Sequence, residues 1–134
     1  MALDLYAEEI ISNYEHPHNK GKIDKPSAEM HEHNPVCGDD ITIYVKVSKG
    51  KVDDIKFDGS GCSISIASAS MLTDYAKGKS LEELEKLGVK DIINLIGVDP
   101  GPARLHCATI SLKALKEALF LYSHKKPDVE TKRL

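Results

Sequence analysis

Apolar and polar positions alternate along this chain in patterns that mark out its elements. Leu3, Tyr6, Ile10 and Tyr14 recur at helical spacing, with Glu8, Glu9 and Glu15 among the polar positions. This predicts a short amphipathic helix over 3–15 that stops before Pro17. Residues 17–27 are rich in Pro, Asn, Gly and Lys and read as a loop, and Ala28–His33 reads as a short edge strand. Ile41, Ile43, Val45 and Val47 alternate with Thr42, Tyr44 and Lys46, the period of a half-buried strand. Ser48–Lys51 is a turn, Val52–Phe57 returns as the second arm of an antiparallel hairpin, and Asp58-Gly59-Ser60-Gly61 is expected to break that strand.

Beyond the break, Ile66, Ala69, Leu72 and Ala76 can share one helical face among many small residues, and Gly78 is a plausible C-terminal stop. Ser80-Leu81-Glu82-Glu83 matches a capping box, so another helix starts there, and Asp91–Ile96 adds a helical turn or two. Asp99-Pro100-Gly101-Pro102 predicts a loop. From Ala108, Leu112, Leu115, Leu119 and Tyr122 mark a final helix. Residues from about 125 to 134 are charged and predict a flexible tail. The order is a helix, a small three-stranded antiparallel sheet, then several helices. That order is α+β, with the helices packed on one face of the sheet.

Length and composition set the outer limits. The 134 residues fit a single domain spanning 1–134, and 41% hydrophobic residues suffice for a real core. With two Phe and no Trp, that core must be filled by Ile, Leu, Val and Ala. The net charge of −3 provides no broad basic field, which argues against nucleic-acid binding. The N-terminal residues include early acids and no long apolar run, so neither a signal peptide nor a membrane span is expected, and the simplest location is the cytoplasm.

Three cysteines, an odd number far apart in sequence, favour metal or thiol chemistry over a disulfide framework. Three unrelated core thiols would be the bland alternative. Local context separates the two. Cys37 lies in Asn34-Pro35-Val36-Cys37-Gly38-Asp39 before a strand, Cys62 follows Gly59-Ser60-Gly61, and Cys107 follows Arg104-Leu105-His106 at the start of the last helix. All three fall at joints between elements. Helix N-termini stabilise negative charge, to the benefit of Cys62 and Cys107 as ligands. Gly38 and Gly61 let backbone approach a bulky metal–sulfide core. Three thiolates leave one position open, for which Asp39 and His106 are candidates; such a set suits either Zn²⁺ or a [2Fe–2S] cluster. Each candidate has a bland counterpart, a turn or cap role for Asp39 and a surface position for His106. An oxygen or nitrogen ligand in place of a fourth thiolate makes a cluster easier to release. No cysteines form a Cys-x-x-Cys pair, which lowers the odds of a zinc ribbon or thioredoxin-like site.

Four ordered segments resemble the IscU/SufU group of iron–sulfur cluster assembly scaffolds, also found as the N-terminal domain of NifU. They are Leu5-Tyr6, Ile10-Ile11, Tyr14, Pro17, Asn19 and Gly21; Asn34 to Asp39; Gly59 to Ser70; and Arg104 to Ala108. The likeness spans Leu5 to about Tyr122. It implies a SufE/NifU-like fold and a scaffold that takes sulfur from a cysteine desulfurase, assembles a [2Fe–2S] cluster and passes it to apo iron–sulfur proteins. By the same resemblance, Cys37, Cys62 and Cys107 are ligands, Asp39 tunes stability and release, and His106 is an auxiliary ligand. Cys107 is the first choice for carrying the incoming persulfide, with Arg104 and His106 beside it. A homo-oligomer of the loaded form is a further expectation. The IscU type carries a Leu-Pro-Pro-Val-Lys stretch read by a chaperone. Here the stretch is Asp99-Pro100-Gly101-Pro102-Ala103-Arg104, which puts a chaperone partner in question. The alternative within the family is a zinc-dependent, SufU-like sulfur acceptor using Cys37, Asp39, Cys62 and Cys107. A Cys–His enzyme is disfavoured because His106 and Cys107 are adjacent and point about a quarter turn apart on a helix. A structural zinc protein would unfold on chelation.

Overall fold

The computed structural model describes residues 2–35, 38–124, 131–132 and 134, with side chains described from residue 7. A first helix, α1 (Ala2–Glu15), leads through a loop to strands β1 (Ala28–Asn34), β2 (Asp39–Ser48) and β3 (Lys51–Ser60). These pair antiparallel in the order β1-β2-β3. Helices α2 (Ser63–Ala76), α3 (Leu81–Glu85), α4 (Val89–Ile96) and α5 (Leu105–Tyr122) follow, with a 3₁₀ turn at Pro102–Arg104. The architecture is the expected α+β.

The core lies between the sheet and the helices. Ile41, Ile43 and Val45 of β2 are fully buried while Thr42, Tyr44 and Lys46 face the other side. On β3 the buried residues are Val52, Ile55 and Phe57. Strict alternation would put Val52 and Ile55, three positions apart, on opposite faces. A bulge reconciles them: Lys46 pairs with Asp54 but Val47 pairs with Val52, so Asp53 is the extra residue and the strand's phase shifts by one. Helix α5 lies across β1 and β2, α2 packs against β3 and α5, and α1 packs on α2. Helix α2 is buried on nearly every side, from Ser65 to Thr73 and at Ala76, rather than along one stripe. Its Ala and Ser residues let neighbouring helices approach closely.

Two boundaries differ from the sequence expectation. Strand β3 continues through Asp58 and Gly59 to Ser60. Gly59 does not break the ladder. It has φ +131, and a Cβ there would lie 1.9 Å from the Asp40 carbonyl oxygen, so glycine is what lets the two strands stay paired. Helix α5 starts at Leu105, because the 3₁₀ turn that begins at Pro102 leads directly into it. The loop before that turn is held by an Asp99 carboxylate accepting the Gly101 N–H at 2.9 Å. Of the expected flexible tail, Thr131 and Leu134 are buried, and Leu134 belongs to the hydrophobic core. Residues 125–130 and 133 of the expected tail lie outside the described residues. The predicted N-cap at Ser80 is in place, its Oγ accepting the Glu83 N–H at 3.2 Å. No helix among the described residues is long and apolar enough to cross a membrane.

Candidate metal centre

Three chain joints converge at one end of the sheet. Asp39 is the first residue of β2, Cys62 is the N-cap of α2, and Cys107 is the third residue of α5. One ligand atom from each, a carboxylate oxygen and two sulfurs, lies within 4.8 Å of the other two. Among the described residues no other three His, Cys, Asp or Glu side chains bring their ligand atoms this close to one another. Two thiolates on one tetrahedral Zn²⁺ sit about 3.7 Å apart, given Zn–S bonds near 2.3 Å, so the spacing is of the right order for a shared metal. Cys62 and Cys107 are thiols rather than halves of a disulfide. Cys37, the third cysteine expected here, lies outside the described residues.

The local sequence explains the convergence. The β1–β2 connection is short, with Asn34 and Asp39 in register and the Gly38 N–H donating to the Asn34 carbonyl at 2.8 Å. Alternation along β2 then puts Asp39 on the buried face with Ile41. Strand β3 runs antiparallel to β2, so its last residues return beside the start of β2, where Ser60 pairs with Asp40. Cys62 follows two residues later, and α2 turns in beneath the sheet.

Asp39 is fully buried. Its Oδ1 accepts the Cys62 backbone N–H at 3.0 Å, and Ser65 Oγ lies 3.2 Å from the same oxygen and 2.9 Å from the Cys62 carbonyl. Cys62 offers no side-chain cap to its own helix. Asp39 therefore reaches across from β2 and takes up an N–H at the start of α2. The same carboxyl group also stands within reach of both sulfurs. Gly61 closes the arrangement from the side: a Cβ there would lie 2.6 Å from Asp39 Oδ1 and 2.3 Å from Ser65 Oγ. Ser65 and Gly61 thus seat the carboxylate, a role the sequence reading did not assign. The available signal was Ser65 three residues after the N-cap position, where a side chain turns back to its helix start.

His106 is exposed and is not one of the three converging groups. It lines a neighbouring open cavity of about 280 Å³ with His33, Pro35 and Leu134 among others. Arg104 is exposed at the end of the 3₁₀ turn. Glu32 lines the same cavity, and Glu117 of α5 faces Glu32. Burial and the Glu32 carboxylate push Glu117 up to about 7.

Residues 5–129 match the NifU-like N-terminal domain, and the chain belongs to that family. It is 35% identical over 126 residues to the iron–sulfur cluster assembly scaffold protein IscU 1 of Archaeoglobus fulgidus, covering 94% of this chain and 82% of that one. It is 39% identical over 132 residues to the zinc-dependent sulfurtransferase SufU of Bacillus subtilis, covering 86% and 89%. Among solved structures, a Fervidobacterium islandicum protein proposed as a cluster assembly scaffold for the SUF system matches with a TM-score of 0.75 at 28% identity, over 87% of this chain and 97% of that one. The N-terminal part of a NifU-like protein from Brucella abortus shares the fold, with a TM-score of 0.76 at 19% identity.

Proposed function

We propose that this chain is a scaffold on which a [2Fe–2S] cluster is assembled and from which it is handed to apo iron–sulfur proteins. The observation that carries the reading is the convergence of Asp39, Cys62 and Cys107 from three separate joints. The cluster is the cargo of such a protein. Cys62 and Cys107 supply thiolates, with Cys37 as the third on the strength of its position in the family motif. Asp39 is the oxygen ligand whose weaker hold on iron favours release, and His106 stands next to Cys107 as an auxiliary. Sulfur comes from a cysteine desulfurase as persulfide sulfur, with Cys107 as the acceptor, and the loaded form is a homo-oligomer. The departure of Asp99–Arg104 from the chaperone-read stretch argues for transfer without that chaperone. On this reading the protein is a carrier with no turnover chemistry of its own.

Anaerobic reconstitution with ferric iron and sulfide tests it. Expected is a visible charge-transfer spectrum with about two irons per bound cluster. Uptake of iron without sulfide, or no chromophore at all, would overturn the scaffold reading.

One observation favours a second reading. The carboxylate and two thiols also suit a zinc ion, and a relative at 39% identity is named a zinc-dependent sulfurtransferase. In that case zinc holds the thiols until one leaves it to accept sulfur. Tightly bound zinc that blocks cluster formation, with sulfur transferred to the zinc form, would select it.

A further inference from the structure

The outer face of the sheet, away from the helices, carries a second group of metal-ligating side chains. His31 and His33 lie two positions apart on β1, so both rings project from the same face. Asp40 lies on β2 directly across from His33 in the register. Its Oδ1 is 2.6 Å from His31 Nε2 and its Oδ2 is 3.7 Å from His33 Nδ1. One carboxylate thus engages two imidazoles, one ring on each oxygen. All three side chains are about half exposed and can be reached from solvent.

We infer that His31, His33 and Asp40 form a second cation site, specific for a borderline divalent ion of the Zn²⁺ or Fe²⁺ kind. Alternate residues of a strand are about 6.5–7 Å apart along the backbone, close enough for two imidazoles to converge on one ion. The bonds required are about 2.0–2.1 Å long, so the rings must swing together from either side of the carboxylate. Exposed side chains can make that movement without disturbing the core. Two imidazoles and a carboxylate on one face, with water in the remaining positions, suit first-row divalent ions and discriminate against Mg²⁺ and Ca²⁺, which prefer oxygen alone. The site differs in chemistry from the thiol centre. It also lies back to back with it, because Asp39 and Asp40 are consecutive on β2 and point to opposite faces. The inference stands whether or not the thiol centre holds a cluster.

The reduced full chain is titrated with Zn²⁺ near neutral pH, bound zinc is counted by elemental analysis, and the imidazole resonances are followed by NMR. Expected is one equivalent of zinc whose uptake shifts the His31 and His33 rings together. The His31→Gln/His33→Gln double variant loses that equivalent while keeping any zinc held by Cys62 and Cys107, and Asp40→Asn weakens it several-fold. Circular dichroism checks that both variants are folded, as the exposure of all three side chains leads one to expect. Equal zinc uptake by the parent and the double variant, or rings that respond to pH alone, reduces the group to an ion pair and overturns the inference. Unchanged affinity in Asp40→Asn removes the carboxylate from the site and overturns it as stated.

Discussion

Replacing Gly61 with alanine tests how the buried carboxylate is held. The added methyl would lie 2.3 Å from Ser65 Oγ and 2.6 Å from Asp39 Oδ1, where ordinary contact begins near 3.4 Å. Both groups are therefore about 1 Å too close. Each is the end of a side chain rather than backbone, so Gly61→Ala should fold by swinging Asp39 and Ser65 aside. The swing breaks the 3.0 Å bond from the Cys62 N–H to Asp39 Oδ1. A hydrogen bond to a charged group contributes about 1.5–3 kcal/mol, and the stranded N–H would lie at the start of α2. Gly61 does not have a left-handed φ. Alanine there recovers roughly 0.4–1 kcal/mol by restricting the unfolded chain. The balance is a loss of about 1–2 kcal/mol, read as a lower urea midpoint at unchanged slope. Zinc affinity, measured by competition with a chromophoric chelator, should fall as well, because the displaced carboxylate no longer faces the sulfurs. Adding Ser65→Ala removes the 2.3 Å obstacle and should restore part of the stability. A Gly61→Ala variant with parental midpoint and parental zinc affinity would refute the reasoning, since the carboxylate would then not depend on the space beside Gly61.

Three further outcomes are expected. Asp39→Ala leaves the thiols in place and should slow transfer of a reconstituted cluster to an apo-ferredoxin followed by absorbance; faster loss than in the parent would contradict the release role. Glu117 has a native pKa of about 7 against an ordinary 4.5, so folding takes up a proton. Its stabilising contribution is complete below about pH 4.5 and is lost as pH rises through about 7; screening at this partly exposed group reduces the effect to about 1 kcal/mol. Glu117→Gln should flatten the change in urea midpoint between about pH 5 and about pH 8, and an unaltered profile would put the cause elsewhere. Chelation of metal should leave the far-ultraviolet circular dichroism spectrum intact, because the core from Ile41 to Leu119 is apolar packing independent of any ion.

Much of the fold is written in local pattern. The Ile41, Ile43, Val45 alternation reads directly as a strand, and Ser80 with Glu83 reads directly as a helix start. Pattern was less informative where tertiary contact decides. The bulge at Asp53 hides the shared face of Val52 and Ile55 until the partner strand is present. Gly59 resembles a breaker in one dimension, and only the closeness of the Asp40 carbonyl shows it as a strand residue. Helix α2 presents one apolar stripe in sequence, yet it is enclosed on nearly every side because its small polar residues are buried too. At the centre, Asp39, Cys62 and Cys107 were legible because chemistry-bearing residues at three joints are conspicuous. Ser65 and Gly61 were not, because a hydroxyl and a missing side chain acquire a role only beside a carboxylate more than twenty positions away. His106 was named for its proximity to Cys107 in sequence, but its exposed side chain is not among the converging ligand atoms.

The wide sequence separation of the donors affects how the protein is made. Positions 39 and 62 are synthesised before position 107, which belongs to α5. A nascent chain lacking α5 holds Asp39 and Cys62 but not the Cys107 thiol, so these three donors meet only once α5 is in place. Metal held by all three of these donors therefore reports that α5 has docked.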